Sequence, residues 1–348
     1  MIYSALIIYL TRDIQSDLNL TMLKLWELGC STPQMASSMV IISDIPIPQS
    51  VPSEANIELL SIGNELLSGT IANTNAQWIS TQTTKAGGTV KRITTVGDRH
   101  REISSTIRDC IHRGPDWLII SGGLGPTYDD KTLQGLSSAL GQRLKLDPCA
   151  VEMLKKSYAR HKQRLVSNDN KLNDVRLKMA RIPRGSVPIQ NPIGSAPSVF
   201  IEVKRGVGTR KTRIFCLPGV PKEMKAVFSR TILPQIKESV GRYYFIESMF
   251  ETIGVSESML APTLSRLVDS YPTNDIYLKT HPRGYETKVS RNRKIRSKPK
   301  LNIQVVSKGK DKSRVEARYN TIVDTLKVEI NRLGGKMHFT NANRTTPE

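Results

Sequence analysis

The sequence predicts an α/β protein in two parts: a three-layer, mostly parallel sheet covered by helices, then a smaller α+β domain. Three observations predict it. Short apolar or β-branched runs alternate with amphipathic runs of helical length, the signature of βαβ units. Glycine-rich turns follow the apolar runs, where open α/β sheets carry their ligand loops. Beyond Gly241 the order becomes strand, helix, strand, strand, helix, which suits a separate domain of about 100 residues.

The elements follow in order. Residues 57–62 form a short apolar strand ending in glycine, and 73–86 a helix opened by Asn73-Thr74-Asn75 and closed by Gly87-Gly88. Thr89–Val96 is β-branched and strand-like; 101–113 is helical, with Ile103, Ile107 and Cys110 at steps of four and three. Trp117–Ser121 is a buried-type strand, followed by helices over 131–140 and Pro148–Lys162. A helix is expected over 170–180, strands over 199–204 and 213–217, and a helix over 222–238. In the smaller domain, strands are expected at 247–253, 275–281 and 301–306, with helices at 257–268 and 315–333. The boundaries are 1–54 for an extension open to poor order, 55–240 and 241–340 for the two domains, and 341–348 for a tail. No chemistry attaches to 1–54. An amphipathic appendage and a start codon placed too far upstream both remain open, since Met39 stands close to where strong patterning begins.

Composition narrows the class. An apolar fraction of 38% and a charged fraction of 24% support a packed core and exclude a mainly disordered, collagen-like or disulfide-stapled chain. The longest apolar runs, 1–10 and 117–120, fall short of the roughly 20 residues that cross a bilayer. No membrane partner and no secretion leader are expected. Cys30, Cys110, Cys149 and Cys216 lie far apart, so free thiols in a reducing cytoplasm are the economical reading. Charge is uneven: 1–54 carries two basic against five acidic residues, 55–280 carries 32 against 20, and 281–348 carries 17 against six. Within 283–314, twelve Lys/Arg face only Glu286 and Asp311. Such a field attracts phosphates, although a solvated loop without a partner is the favoured reading of this segment. Few aromatics are interleaved, which weakens a base-stacking role.

Ser121-Gly-Gly-Leu-Gly-Pro-Thr-Tyr-Asp-Asp130 is the most informative segment. It leaves a strand and enters a helix, so its backbone N–H groups can cradle an anion. It is neither a Walker loop nor the dinucleotide glycine fingerprint. One acid of Asp129-Asp130 suffices to cap the next helix; the second fits a metal or water-polarising role. Glu65, after the first strand, can reach the same crevice or serve as a solvated helix acid. Asn73 and Asn75 can meet a base or ribose or cap a helix, and Asp98 can cap the 101–113 helix or touch ligand. The Pro218–Pro221 turn is a candidate site wall.

Together these pieces resemble a known family. The segments ELLSIGNELLSGTIANTNAQWIS, TTVGDRHREI, LIISGGLGPTYDDKTLQGLSSALG, NPIGSAPS and LPGVPKEM are similar, in that order, to the molybdopterin-binding fold of MogA/MoaB proteins and more specifically of the CinA family. TIGVSES resembles the entry to the small domain that follows in CinA proteins. The resemblance implies a metal-dependent hydrolase of ADP-ribose or a related nucleotide diphosphate, with magnesium or a transition metal, and molybdopterin as a further ligand. It implies catalytic and metal-holding roles for Asp129, Asp130 and Glu65. It places ligand-binding roles on Gly63, Asn64, Asn73, Thr74, Asn75, Asp98, Gly122, Gly123, Leu124, Gly125, Pro126, Thr127, Pro218 and Gly219. Asn64 stands where the family has Asp, which removes a charge and a base. The chain leaves no room for the family's amidase module, so amidase activity is not expected. The alternatives are a non-enzymatic binding or regulatory protein, and a nucleic-acid binder acting through a KH-like or ferredoxin-like basic domain. Family resemblance and the two basic bodies imply a homodimer.

Overall fold

The computed structural model describes residues 55–162, 172–204, 210–271, 275–289 and 295–345. The expectations for 1–54, for 170–171 and for 291–294 of the basic loop lie outside them.

A six-stranded sheet carries the larger domain. Its order is β2 (Thr89–Val96), β1 (Asn56–Ile62), β3 (Trp117–Ser121), β8 (Lys211–Leu217), β7 (Ser198–Lys204), β6 (Val187–Ile189). The first four run parallel, and β7 and β6 join antiparallel. The gap of six residues between β7 and β8 is too short for the dozen or so that a parallel crossover needs. The sheet is therefore mixed but mostly parallel.

Strands β1 and β3 are buried almost throughout because both faces are covered. On one face Leu60, Ile62, Leu118 and Ile120 pack against Ile103, Ile107 and Cys110 of α3 (His100–Arg113), Leu133 and Leu136 of α4 (Thr132–Leu140), and Leu154 of α5 (Pro148–Lys162). Each such side chain contributes roughly 1.5–3 kcal/mol by leaving water. The other face holds α2 (Thr74–Lys85), which touches β1, β2, α7 (Pro221–Val227) and α8 (Leu233–Val240). The Glu58 carboxylate, on β1, is buried and takes Arg113 bidentately at 2.6 to 3.1 Å. Burial pushes the Cys110 thiol up to about 11 and the Cys216 thiol up to about 12. Both are free and stay protonated at neutral pH.

Two expected helices are interrupted. In place of one helix over 170–180 stand a single turn, α6 (Asp174–Leu177), capped by the Asn173 side chain, and a 3₁₀ turn, Lys178–Ala180. The chain then extends as β5 (Arg181–Pro183), pairing with β4 (Leu144–Leu146). Burial of Met179 and Ala180 under the sheet outweighs helical propensity there. Within 222–238 a π turn, Phe228–Ile232, separates α7 from α8, with Leu233 N–H bonded to the Phe228 carbonyl. Pro234 lacks the N–H that a regular turn would use.

The smaller domain runs β9 (Tyr244–Ile253), α9 (Glu257–Asp269), β10 (Ile276–Val289), β11 (Ile295–Gly309), α10 (Lys312–Arg332) and β12 (Lys336–Thr345). The sheet order β10-β11-β9-β12 is antiparallel throughout, the ferredoxin-like split βαβ arrangement. Both helices pack on one face, with Leu260, Ile322, Leu326 and Ile330 against Phe250, Ile303 and Val305. Strand β12, which the sequence pattern does not announce, carries the chain past residue 340. Among the described residues, no helix is long and apolar enough to cross a membrane.

Candidate functional site

Because β1, β3 and β8 run the same way, the loops after their carboxyl ends meet at one edge of the sheet. They line a crevice of roughly 540 Å³ with Gly63, Glu65, Asp98, Gly122 to Pro126, Asp129, Asp130, Pro218, Gly219 and Glu223. The loop after β3 is tightly built. Gly122 donates to the Leu217 carbonyl at 3.0 Å and has φ +105°, and a Cβ there would stand 2.2 Å from the Ile62 carbonyl oxygen. Only glycine suits that backbone. Thr132, fully buried, donates its hydroxyl to the Gly122 carbonyl at 2.7 Å and its N–H to that of Gly123 at 3.2 Å. The N–H groups of Gly123, Leu124 and Gly125 make no hydrogen bond with any described residue. They are available to an anion.

Thr127 arranges the acidic pair. Its N–H donates to Asp130 Oδ2 at 2.9 Å, and its hydroxyl lies 2.5 Å from both Asp130 Oδ2 and Asp129 Oδ1. Lys178 Nζ donates to the Thr127 carbonyl. The Thr127 hydroxyl, Asp129's own backbone and then the charges of Lys178 and Lys131 hold the Asp129 carboxyl below its ordinary range. Burial lowers Lys178, partly countered by Asp130 and Asp129. On the far side of this turn lies a wider, open depression of roughly 830 Å³, lined by His100, Tyr128, Lys131 and Lys178 among others. His100 Nε2 there meets the Ser138 hydroxyl at 2.9 Å.

The remaining expected residues divide sharply. Glu65 and Asp98 line the crevice, but Glu65 does not join Asp129 and Asp130 as a metal cage. Among the described residues, no three His, Cys, Asp or Glu side chains are grouped to hold a metal ion. Asn64, the first residue of the short helix α1 (Asn64–Leu67), is not among the residues lining the crevice. Its carbonyl oxygen accepts from the Asp98 N–H at 3.3 Å, and its own N–H donates to Asp98 Oδ2 at 2.9 Å. This clasp ties the loop after β1 to the loop after β2. Asn73, Thr74 and Asn75 do not line the crevice. Asn73 caps α2 by accepting from Ala76 N–H at 3.1 Å and donates to the Ser61 hydroxyl at 2.9 Å. Asn75 donates to the Gly219 carbonyl at 2.8 Å, so it positions the Pro218-Gly219 wall.

Sequence reasoning missed Thr132, Lys178, Asn191 and Glu223. Asn191 and Glu223 stand within NPIGSAPS and LPGVPKEM, so the signal was present as motif. Lys178 belongs to no motif, and only the fold brings it to Thr127.

An open, mostly parallel sheet with a glycine loop and paired acids at its carboxyl edge defines a small-molecule-binding α/β domain. A family model described as "Probable molybdopterin binding domain" matches residues 58–238. A protein of Sulfurisphaera tokodaii is 39% identical over 278 residues, covering 80% of this chain and 96% of that one. One from Pyrococcus furiosus is 40% identical over 228 residues, covering 66% and 85%. The crystal structure of CinA from Thermoplasma acidophilum, a protein described there as of unknown function, shares 38% identity, with TM-score 0.44 over 52% of this chain and 98% of that one. The chain belongs to the molybdopterin-binding domain family.

Proposed function

We propose that the crevice binds a nucleotide or pterin diphosphate and, with a divalent cation at Asp129 and Asp130, hydrolyses ADP-ribose or a related nucleotide diphosphate. The observation that carries this reading is the pairing, across one short loop, of three unengaged backbone N–H groups with two adjacent carboxylates. The donor set fits a magnesium-type ion, which uses one or two carboxylates, waters and substrate oxygens. It does not fit an all-protein cage of the structural zinc kind. When bound, such an ion offsets the diphosphate charge beside the acids and polarises the phosphorus centre. The N–H groups of Gly123, Leu124 and Gly125 hold the phosphate oxygens and stabilise charge gained at phosphorus. Thr127 keeps both carboxylates in register, and Lys178 fixes Thr127 from behind.

Chromatography of ADP-ribose incubated with protein and magnesium tests the reading. AMP and ribose 5-phosphate are the expected products. Asp129→Ala and Asp130→Ala should each lower kcat/KM by about 10²–10³, the scale of losing one oriented stabilising group. Parental turnover in both variants rejects the site. A second reading, a binding protein without hydrolysis, has its own observation: residue 64 is an amide rather than an acid, and its side-chain oxygen is engaged by the Asp98 N–H. Calorimetric binding of ADP-ribose or a pterin diphosphate with no turnover across divalent metals would select it.

A further inference from the structure

Glu223 lines the crevice and, with Asn191 behind it, is left unused by the proposed chemistry. Asn191 is fully buried, and its amide is saturated. Oδ1 accepts from the N–H groups of Ile193 at 3.1 Å and Gly194 at 2.8 Å. Nδ2 donates to the Ala196 carbonyl at 3.1 Å and to Glu223 Oε2 at 2.7 Å. Two backbone donors on one side of the amide decide which end is oxygen. The group facing Glu223 is therefore a donor, and Glu223 Oε2 is an acceptor. Gly194 supplies the space, since a Cβ there would lie 1.9 Å from Oε2. Arg160, on α5, braces the same loop by donating to the Pro192 carbonyl at 3.0 Å and the Asn191 carbonyl at 3.3 Å.

Glu223 sits in the first turn of α7, where an acid suits the helix dipole. That position accounts for an acid but not for a fully buried amide spent on aiming it. The carboxylate lines the same crevice as the glycine loop, so the two walls ask opposite things of a ligand. One presents N–H donors and takes an oxyanion. The other presents a carboxylate acceptor, which suits O–H or N–H donors rather than an oxyanion.

We infer that Glu223, oriented by Asn191, is the specificity-determining residue of the crevice: it accepts paired donors, a ribose cis-diol or the amino-pyrimidinone edge of a pterin, from a ligand whose phosphates lie on the glycine loop. This rests on the nucleotide-or-pterin reading above. Such a contact makes the crevice select a phosphorylated ligand with a donor-bearing body over a bare phosphate chain.

Glu223→Gln is the informative variant. It keeps an acceptor for the Asn191 amide and removes the charge. The measurement is calorimetry on the full chain in magnesium with AMP, 2′,3′-dideoxy-AMP, 6-hydroxymethylpterin diphosphate and inorganic pyrophosphate. A hydrogen bond to a charged group is worth about tenfold or more in affinity. Affinity for the donor-bearing ligand should fall by that factor, while affinity for pyrophosphate holds or rises because a negative charge has left the site. A fall for AMP that dideoxy-AMP does not share assigns the ribose; a fall for the pterin assigns the pterin edge. An equal fall for all ligands, pyrophosphate included, marks a structural role and overturns the inference, as does unchanged affinity for every ligand. If the parent binds pyrophosphate but neither organic ligand, the nucleotide-or-pterin reading fails and the inference with it.

Discussion

The six-stranded and four-stranded sheets are both backed by helices over an apolar core, yet the candidate site lies on the first alone. In the six-stranded sheet β1, β3 and β8 point the same way, so residues 63–65, 122–130 and 218–223 leave the sheet at one edge and face one crevice. In the four-stranded sheet every neighbour is antiparallel, and the turns at 254 and 334–335 that meet at one end pack backbone on backbone, a Cβ at Gly254 standing 3.3 Å from the Gly335 Cα. Its charges pair locally instead, as Lys300 does with Glu251 at 3.2 Å and Arg332 with Glu329 at 2.7 Å. What separates the two regions is how the turns at the sheet's end pack: one set leaves a crevice, and the turns at 254 and 334–335 close on each other.

Matched substitutions in the two regions sharpen that contrast. The largest effect is expected at the glycines. Gly122→Ala places a Cβ against the Ile62 carbonyl at φ +105°, whereas Gly284, in the β10–β11 hairpin at φ +80°, has nothing within 4 Å. Urea denaturation should show a loss of about 3 kcal/mol for Gly122→Ala and about 1 kcal/mol for Gly284→Ala. Only the first should abolish ligand binding. Equal losses would mean that the crevice loop is no more constrained than a surface hairpin.

A smaller contrast is expected between ion pairs. Arg113→Met leaves the Glu58 carboxylate, 8% exposed, without its bidentate partner, at a cost of about 3 kcal/mol, the lower end for a broken buried pair. Arg332→Met removes a pair whose arginine is 67% exposed, worth less than about 1 kcal/mol. Thermal melting of both variants checks the difference; a shift as large for Arg332→Met would refute it.

The smallest effect is electrostatic and local. Asp129 and Glu329 are both lowered, chiefly by a Thr127 hydroxyl in one case and by Arg332 in the other. A depressed carboxyl stabilises its surroundings above the ordinary carboxylate range and loses that contribution as pH falls through the depressed value. In Thr127→Val the Asp129 titration, followed by carboxyl-carbon NMR, should move up toward the ordinary range, and the 126–130 turn should loosen at correspondingly higher pH. Glu329 should stay where it is. An unmoved Asp129 would leave the lysines as the main cause.

Much of this architecture is legible because it is local. β2, β3 and α5 follow from residue periodicity and glycine punctuation, and the glycine loop with Asp129 and Asp130 announces itself between a strand and a helix. β4, β5 and β6 span three residues each, too few for a period to emerge. β12 reads Lys-Met-His-Phe-Thr-Asn-Ala-Asn-Arg-Thr, and its pairing to β9 supplies what its polar composition withholds.

By itself, then, the sequence determined the strand–helix order, the glycine loop and the acids beside it, since each depends on neighbours within a few residues. Tertiary structure alone decided how those acids are used. Glu65 shares the crevice without completing a three-acid group, Asn64 turns to the Asp98 backbone, and Lys178 arrives behind Thr127 from 51 residues away. Glu223 is aimed by an amide 32 positions distant. The physical reason is that a side chain's role follows from which partners satisfy it, and those partners are chosen by which distant segments the fold brings together.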